Sequence, residues 1–242
     1  MILHTHTAGD GEPIVFIHSG GMTGLTEYEE QKDYFAENHF KVIRPDLRGH
    51  GKSEGTLEDY FNQCVIDLKD TLDSLNIGEF HIAGVSIGGV VALMFAKRYP
   101  SKVKTLTFSG VFPKQPDNWE ELSRQEAEHH KNLFGNPGIV EALNQMHGNN
   151  DWRELLKSFN SDEFYPFHET GELSDVTAPI LCMVGEREEL EVEAAITYKK
   201  LHTNMQIAVI PFAGHLVHRD QPDLYIRTLS TFIQHHSNLI LV

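Results

Sequence analysis

The stretch EFHIAGVSIGGVVALMFAKRYP, residues 79–100, joins an apolar run to a segment of helical character through the pentapeptide GVSIG at 84–88. Residues 80–85 predict a buried strand and residues 87–98 predict a helix, so the serine lies at a strand-to-helix turn, the context that a G-x-S-x-G motif requires. Small residues at both ends let strand and helix approach closely, and a turn this tight holds the serine in a strained backbone conformation. The pattern therefore predicts that Ser86 presents its hydroxyl as a nucleophile.

Ser86 has a simpler interpretation as a helix cap, because serine is a common N-cap residue and glycine is common in turns. A catalytic role needs partners elsewhere in the chain. An unassisted hydroxyl is a poor nucleophile, so a base must lie within hydrogen-bond reach and a third group must orient that base. Such partners would distinguish the two interpretations.

A candidate base lies in the C-terminal segment IPFAGHLVH, residues 210–218. His215 follows the last predicted strand on a loop marked by Gly214, so its ring can reach over the edge of the sheet. A neutral imidazole with a pKa near ~6.5 accepts a proton at physiological pH and can return it to a leaving group. His218 is the immediate competitor, and the position after Ala-Gly favours His215 as the base.

The orienting acid is expected after the preceding predicted strand, in the segment GEREELE at 185–191, which contains four carboxylates. Glu188, three residues beyond Gly185, is the preferred partner of the histidine, and its role would be to fix the tautomer and stabilise the imidazolium. Glu189 is the alternative. The remaining carboxylates are expected to form a solvated acidic loop.

Two backbone N–H groups are predicted to bind the negative charge that develops on a carbonyl oxygen. Ile87 begins a helix, and the first N–H groups of a helix have no partners within it. Gly20 lies in the segment HSGG at 18–21, where consecutive glycines let an N–H turn inward without a blocking side chain. An ordinary glycine-rich turn is the alternative. Phosphate binding is disfavoured because no Gly-Lys-Ser/Thr follows these glycines.

Composition limits the class of protein. With 242 residues, of which 40% are hydrophobic, the chain is long enough for one large domain with a buried core. The formal net charge of -15 would repel nucleic acid and anionic lipid over most of the surface. We therefore expect a small-molecule substrate and no nucleic-acid partner, while the oligomeric state stays open.

The cysteines and the N-terminal sequence indicate a reducing compartment. Cys64 and Cys182 both lie in apolar runs, where a reduced and buried thiol is the usual state. The segment MILHTHTAGDGEP has neither the basic flank nor the apolar stretch of a signal peptide. The longest nearly apolar window, 82–96, is too short to span a bilayer. A cytoplasmic location is the expectation.

Short apolar runs alternate with amphipathic segments along most of the chain, without internal repeats. This alternation predicts an α/β fold with a doubly wound, mostly parallel sheet that carries its sites at the carboxyl ends of the strands. The predicted strands are 14–17, 41–45, 80–85, 103–108, 180–184 and 206–210, and the predicted helices are 27–37, 57–75, 87–98, 192–201 and 224–232.

Residues 113–175 interrupt the alternation, because they contain helical fragments but no convincing strand. A segment of this length between two strands is more typical of a helical lid than of a connecting loop. Its aromatic and aliphatic side chains could line an apolar pocket, although many of them would simply hold the helices together. We therefore expect a core formed by residues 1–112 and 176–242 and a cap or lid formed by 113–175.

Several motifs, in this order and spacing, identify a resemblance. The chain resembles the α/β-hydrolase fold superfamily in its HSGG loop, the RPDLRGHGKS segment at 44–53, the elbow GVSIGG, the acid loop GERE and the histidine loop AGH. The order Ser86, Glu188, His215 is also that of hydrolases with this sheet. By resemblance the 44–53 segment is a structural loop beside the active site, so Asp46, Arg48 and His50 are not expected to be catalytic.

The resemblance implies acyl transfer to water through an acyl-enzyme on Ser86, without metal or organic cofactor. Esters or thioesters of small to medium apolar acids are the expected substrates. Cleavage of carbon–carbon bonds in diketones and perhydrolysis use serine in similar enzymes and stay open. Epoxide opening and halide displacement use an aspartate nucleophile in relatives and are disfavoured. A hydrolase-like ligand receptor with little turnover is the alternative from another class of protein.

Overall fold

The computed structural model describes residues 1–159 and 164–237, without the side chain of His129. Seven strands form one sheet in the order β1-β3-β2-β4-β5-β6-β7. Only β1 runs antiparallel, against β3, and the other described pairs are parallel. The strands are β1 (Thr5–Ala8), β2 (Glu12–Ile17), β3 (Phe40–Pro45), β4 (Phe80–Val85), β5 (Val103–Ser109), β6 (Ile180–Gly185) and β7 (Gln206–Ile210).

All six strands expected from the sequence are present, and the α/β class is confirmed. The predictions missed β1, whose sequence THTA carries no apolar run. This strand lies at the edge of the sheet and has a strand partner on one side only. Edge strands need not be apolar, so the sequence gives little indication of them.

Helices cover both faces of the sheet. The five predicted helices are present, and some begin at other residues: the second begins at Tyr60 rather than at 57, and the helix after β6 begins at Glu189 rather than at 192. The helices are α1 (Glu29–Glu37), α2 (Tyr60–Ser74), α3 (Ile87–Arg98), α4 (Trp119–Phe134), α5 (Pro137–His147), α6 (Trp152–Ser158), α7 (Phe167–Thr170), α8 (Glu189–Leu201), α9 (Val217–Asp220) and α10 (Pro222–His236).

Two hydrophobic clusters lie on opposite faces of the sheet. Successive residues of β2 alternate between them: Val15 and Ile17 pack with α2, α3 and α8, whereas Ile14 and Phe16 pack with α1 and α10. A strand that is buried on both faces must be apolar throughout, which explains why the central strands read as continuous apolar runs. Burial in these two layers fixes the positions of the strand ends.

Four helices, α4 to α7, lie between β5 and β6 within the segment that the sequence separates from the core. The segment is bonded to the chain just after β5: the N–H of Phe112 donates to the hydroxyl of Tyr165 at 2.7 Å, and the hydroxyl of Thr170 donates to the carbonyl of Phe112 at 2.7 Å. We call residues 113–175 the helical insertion. Its division from the core as a separate unit remains a prediction.

Both cysteines are free and buried, as expected. Among the helices within 1–159 and 164–237, none combines the length and the apolar character that crossing a bilayer requires. The apolar C-terminal residues 239–242 lie outside the described residues.

Candidate active site

Ser86 lies in the sharp turn between β4 and α3, with φ 57° and ψ -125°. Few non-glycine residues adopt such a conformation, and it is typical of functional sites. A Cβ at Gly84 would lie 2.2 Å from the carbonyl oxygen of Gly88, and a Cβ at Gly88 would lie 2.4 Å from that of Ile17. Both glycines are therefore required sterically, and Ser86 is left partly exposed.

The helix that follows the turn presents its first N–H groups beside the serine hydroxyl. Ile87 is the first residue of α3, and it lines the same cleft as Ser86. Gly20 is not among the described residues that line the cleft, but a Cβ there would lie 2.6 Å from the ring of Phe159, which does line it. Among the described residues the N–H of Gly20 has no acceptor. The role of both N–H groups as oxyanion donors remains a prediction.

His215 reaches the cleft from the loop after β7, half-buried, and lines it together with Ser86. Gly110, which follows β5, shows how close the ring of His215 lies to the backbone of Ser86. A Cβ at Gly110 would lie 2.6 Å from Cε1 of His215 and 3.4 Å from the backbone nitrogen of Ser86. The predicted base and nucleophile are thus neighbours, although they are more than a hundred positions apart in the chain.

The carboxylate that contacts His215 is Glu191, and in this respect the choice of Glu188 was wrong. Nδ1 of His215 lies 2.5 Å from Oε1 of Glu191, which is buried to 4% exposure. Glu188 is the N-cap residue of α8 and lines the cleft without a hydrogen bond to the ring. Glu189, the sequence alternative, is exposed.

The prediction chose a different glutamate from the one that contacts His215 because it placed the start of α8 three residues too late. A helix that begins at Glu189 carries residues 188 and 191 on one face, since side chains three positions apart are neighbours on a helix. When residues 185–191 are interpreted as a loop, the sequence gives no reason to choose Glu191 over the other glutamates. The spacing E-x-x-E at the start of a helix was the signal available in the sequence.

The environment of His215 favours its charged form. Burial by itself would lower the pKa of the imidazole, but the hydrogen bond and negative charge of Glu191, with the charges of Glu188 and Glu126, raise it above the ordinary value. A raised pKa makes the ring a better proton acceptor. The same charges would stabilise an imidazolium formed during proton transfer.

His218, the competing histidine, lies outside the cleft. It is 1% exposed, stacks on Tyr28 with ring centroids 4.2 Å apart, and places Nε2 3.3 Å from Oε1 of Glu27. No described contact brings it near Ser86. The surroundings of His218 are therefore those of a packed core residue. The position after Ala-Gly had indicated the histidine that faces the cleft.

The 44–53 segment holds loops together beside the cleft. Oxygens of Asp46 accept the N–H groups of Gly24 at 2.9 Å and Lys52 at 3.0 Å. Arg48 pairs with Asp67 at 2.8 Å, and Nε2 of His50 accepts the N–H of Gly21 at 3.3 Å. None of these three side chains lines the cleft, as expected for a structural loop.

The cleft encloses about 580 Å³ and is largely apolar. Its described lining contains carboxylates from Glu126, Glu188 and Glu191 but neither lysine nor arginine. Glu126 is also in contact with His130 at 3.1 Å. The apolar lining residues come from the core and the helical insertion: Phe61, Val90, Phe112, Trp119, Leu122, Phe159, Phe164, Tyr165 and Leu190.

Known proteins resemble the chain over most of its length. It is 26% identical to epoxide hydrolase 4 of Homo sapiens over 277 residues, covering 96% of this chain and 75% of that protein. It is also 26% identical to (E)-2-((N-methylformamido)methylene)succinate hydrolase of Acinetobacter baylyi over 252 residues, covering 96% and 94%.

A solved structure and a family model extend this comparison. A meta-cleavage product hydrolase from Pseudomonas fluorescens matches with a TM-score of 0.74 at 20% identity, covering 97% of this chain and 94% of that one. At this identity the match shows the fold alone. The model of the alpha/beta hydrolase fold family matches residues 12–160, more than half of the chain. The protein belongs to the alpha/beta hydrolase fold family and is a hydrolase.

Proposed function

We propose that the protein hydrolyses uncharged carboxylic esters or thioesters through an acyl-enzyme on Ser86. His215 takes the serine proton during attack on the carbonyl carbon and gives it to the alcohol or thiol that leaves, which forms the acyl-enzyme. It then takes a proton from the attacking water and returns it to Ser86 as the acid is released, while Glu191 orients the ring and stabilises its charged form. Backbone N–H groups of Ile87 and Gly20 bind the oxyanion. Neither a metal nor an organic cofactor takes part.

One observation carries this proposal: the imidazole of His215 bonds to the buried Glu191 on one side and borders the strained Ser86 on the other. A structural histidine would need no neighbouring serine held at a positive φ. The base, its orienting acid and the nucleophile come from three separate segments and meet in one cleft. This convergence supports nucleophilic catalysis.

The charge of the cleft favours uncharged esters over acidic substrates. The Acinetobacter relative is named for a succinate, which carries carboxylates, whereas the described lining here offers three glutamates and neither lysine nor arginine. Bringing a carboxylate beside Glu188 and Glu191 would cost electrostatic energy in a partly desolvated site. Uncharged acyl groups fit the apolar remainder of the lining.

Epoxide opening, the activity in the name of the human relative, is disfavoured by the nucleophile. Ser86 occupies the position at which epoxide-opening relatives are expected to have aspartate. We propose further that the helical insertion is a lid, because α4 contributes Trp119 and Leu122 to the lining and so covers the cleft from the side opposite the sheet.

Turnover of nitrophenyl esters tests the proposal. Wild type should hydrolyse the acetate, butyrate and hexanoate esters, and Ser86→Ala should lower kcat by about 10³-fold or more. The matched control is Ser123→Ala, which removes another hydroxyl from the same cleft and should leave kcat within a few-fold of wild type. A fluorophosphonate should label wild type and the control but not the Ser86 variant.

Two results would contradict the proposal. Labelling that persists in Ser86→Ala would mean that another residue is the nucleophile. Negligible ester turnover by wild type, together with tight binding of a small ligand that protects residues 113–175 from proteolysis, would instead support the receptor alternative.

A further inference from the structure

Two histidines and an aspartate meet at the edge of the sheet, away from the cleft. His4 immediately precedes β1, and His6 lies within it. The antiparallel pairing sets His6 opposite Arg44 and Thr5 opposite Pro45. The N–H of Asp46 donates to the carbonyl of His4 at 2.8 Å, which continues the pairing and sets His4 opposite Asp46. Side chains two positions apart on a strand share a face, so this register gathers the three side chains on one side.

The geometry points to a binding site for a divalent transition-metal ion, with Zn²⁺ the best fit, formed by His4, His6 and Asp46. Their potential ligand atoms all lie within 4.8 Å of one another. Donors around a tetrahedral zinc ion are separated by about 3.3 Å, given bonds of about 2.0 Å to nitrogen or oxygen. Small side-chain rotations would bring the three donors to that spacing. Two imidazoles and one carboxylate are a ligand set that suits zinc.

Two of the three side chains, those of His6 and Asp46, are joined by a hydrogen bond that a metal ion could replace. Nε2 of His6 lies 3.2 Å from Oδ1 of Asp46. In the other tautomer the ring carries its hydrogen on Nδ1 and turns a lone pair of Nε2 toward the same carboxylate oxygen. An ion between these atoms would then take the place of the hydrogen. The backbone N–H of Gly24 would keep its own position on Oδ1.

The charges around the site favour a cation on balance. The buried carboxylate of Asp46 supplies negative charge among the three side chains. Arg44 is the opposing charge, directly across from His6. Its guanidinium is occupied by the carboxylate of Glu29 at 2.5 Å and the carbonyl of Glu27 at 2.9 Å. The formal net charge of -15 adds a general attraction for cations.

A metal at this site would have a structural role. None of the three residues lines the cleft, and the proposed ester hydrolysis does not involve them. Asp46 already fastens the loops after β2 and β3 through Gly24 and Lys52. An ion shared with His4 and His6 would tie the edge strand β1 to those loops, and binding to the folded state alone raises its stability.

Calorimetric titration of the chelator-treated full chain with ZnCl₂ tests the inference. We expect one site in wild type, at least tenfold weaker binding in His4→Ala, and a rise in the melting temperature with Zn²⁺ that this variant lacks. The matched control is His168→Ala, which removes a histidine that is 81% exposed on α7 and should bind as wild type does. Co²⁺ should give visible absorption bands of a low-coordinate site in wild type and in the control.

A second ligand variant keeps the test decisive if the first variant does not fold. If His4→Ala unfolds in the absence of metal, His6→Gln takes its place in the same comparison. Equal Zn²⁺ affinity and equal thermal shift in wild type and in the folded ligand variant would overturn the inference. So would a site that survives loss of His4 but disappears in His215→Asn, because the ion would then lie in the cleft.

Discussion

Two buried glutamates each face a histidine, and the pairs differ in how fully the carboxylate is satisfied. Glu27 accepts the N–H of Ser19 at 2.5 Å and its hydroxyl at 3.1 Å, and it lies near His218 and Arg219. Glu191 uses one oxygen for His215, while its Oε2 has no hydrogen-bond partner among the described residues.

We call Glu27 with His218 the structural pair and, in line with the proposed function, Glu191 with His215 the reactive pair. His218 is enclosed on all sides at 1% exposure, so a proton on its ring cannot reach a substrate. His215 is bound on one side and faces an open cleft on the other. A buried carboxylate with few partners can direct its charge to a single ring, whereas a fully bonded one distributes it among several donors. The same two residue types therefore serve different purposes.

Breaking the reactive pair should have the largest effect. Glu191→Gln removes the charge that orients and stabilises the imidazole of His215, so kcat for ester hydrolysis should fall by about 10³-fold, equivalent to about 4 kcal/mol. Initial-rate kinetics measure this. Glu189→Gln, the same substitution at an exposed position on the same helix, should retain activity. Near-normal rates in the Glu191 variant would remove it from the proposed mechanism.

Breaking the structural pair should reduce stability instead. Burial alone would raise the pKa of Glu27, but contacts with His218 and the N–H of Ser19 lower it from 4.5 to about 2. Glu27→Gln should therefore lower the free energy of unfolding by about 3 kcal/mol at neutral pH. Denaturant titration measures this, with exposed Glu30→Gln as the control.

The pH dependence of that loss has a defined sign. Because the folded-state pKa of Glu27 is depressed, its contribution is fully present above about 4.5 and disappears as the pH falls through about 2. Wild type and Glu27→Gln should thus converge in stability on acidification. A constant difference between them across this range would contradict the proposed charge interactions.

A substitution at Gly110 should displace the ring of His215 and leave that of His218 in place. Gly110 has a φ of 65°, and a methyl group there would meet Cε1 of His215 at 2.6 Å. Gly110→Ala should lower kcat about tenfold, or roughly 1.4 kcal/mol, and cost about 1 kcal/mol of stability. Gly148→Ala is the control, since Gly148 also has a positive φ but nothing within 4 Å of the added atom. Equal kcat losses in both variants would exclude an effect through His215.

The smallest expected effect concerns the pH profile. Glu188 helps to raise the pKa of His215, after the larger influences of burial and Glu191. Glu188→Gln should therefore move the acid limb of kcat/KM to lower pH, because the neutral ring persists further into the acid range. Exposed Glu193→Gln should leave the limb in place. A shift in the opposite direction would rule out the proposed charge effect.

Features with a local signature were predicted well from the sequence. The continuous apolar strands and the G-x-S-x-G turn follow from local sterics and burial, so the central sheet and the strained backbone at Ser86 could be predicted without coordinates. The place after Ala-Gly indicated which of His215 and His218 faces the cleft, while the catalytic roles of Ser86 and His215 remain predictions.

Other features depend on contacts that are distant in sequence. Which glutamate contacts His215 depends on the first residue of α8, and helix boundaries are the least determined part of a pattern. The edge strand β1 depends on its pairing with β3, which the sequence THTA does not reveal. Gly110 had no signal at all, because its importance comes only from the ring that packs against it.

The clasp between Phe112, Tyr165 and Thr170 has an engineering consequence. Because Phe112 is bonded to both Tyr165 and Thr170, parts of the chain more than fifty positions apart are held together. A segment exchanged from another hydrolase would therefore have to reproduce these bonds, together with those of His147 to Gly21 and Gly51 in the core. Substitutions confined to Trp119 and Leu122 would alter the lining of the cleft and leave all of these bonds in place.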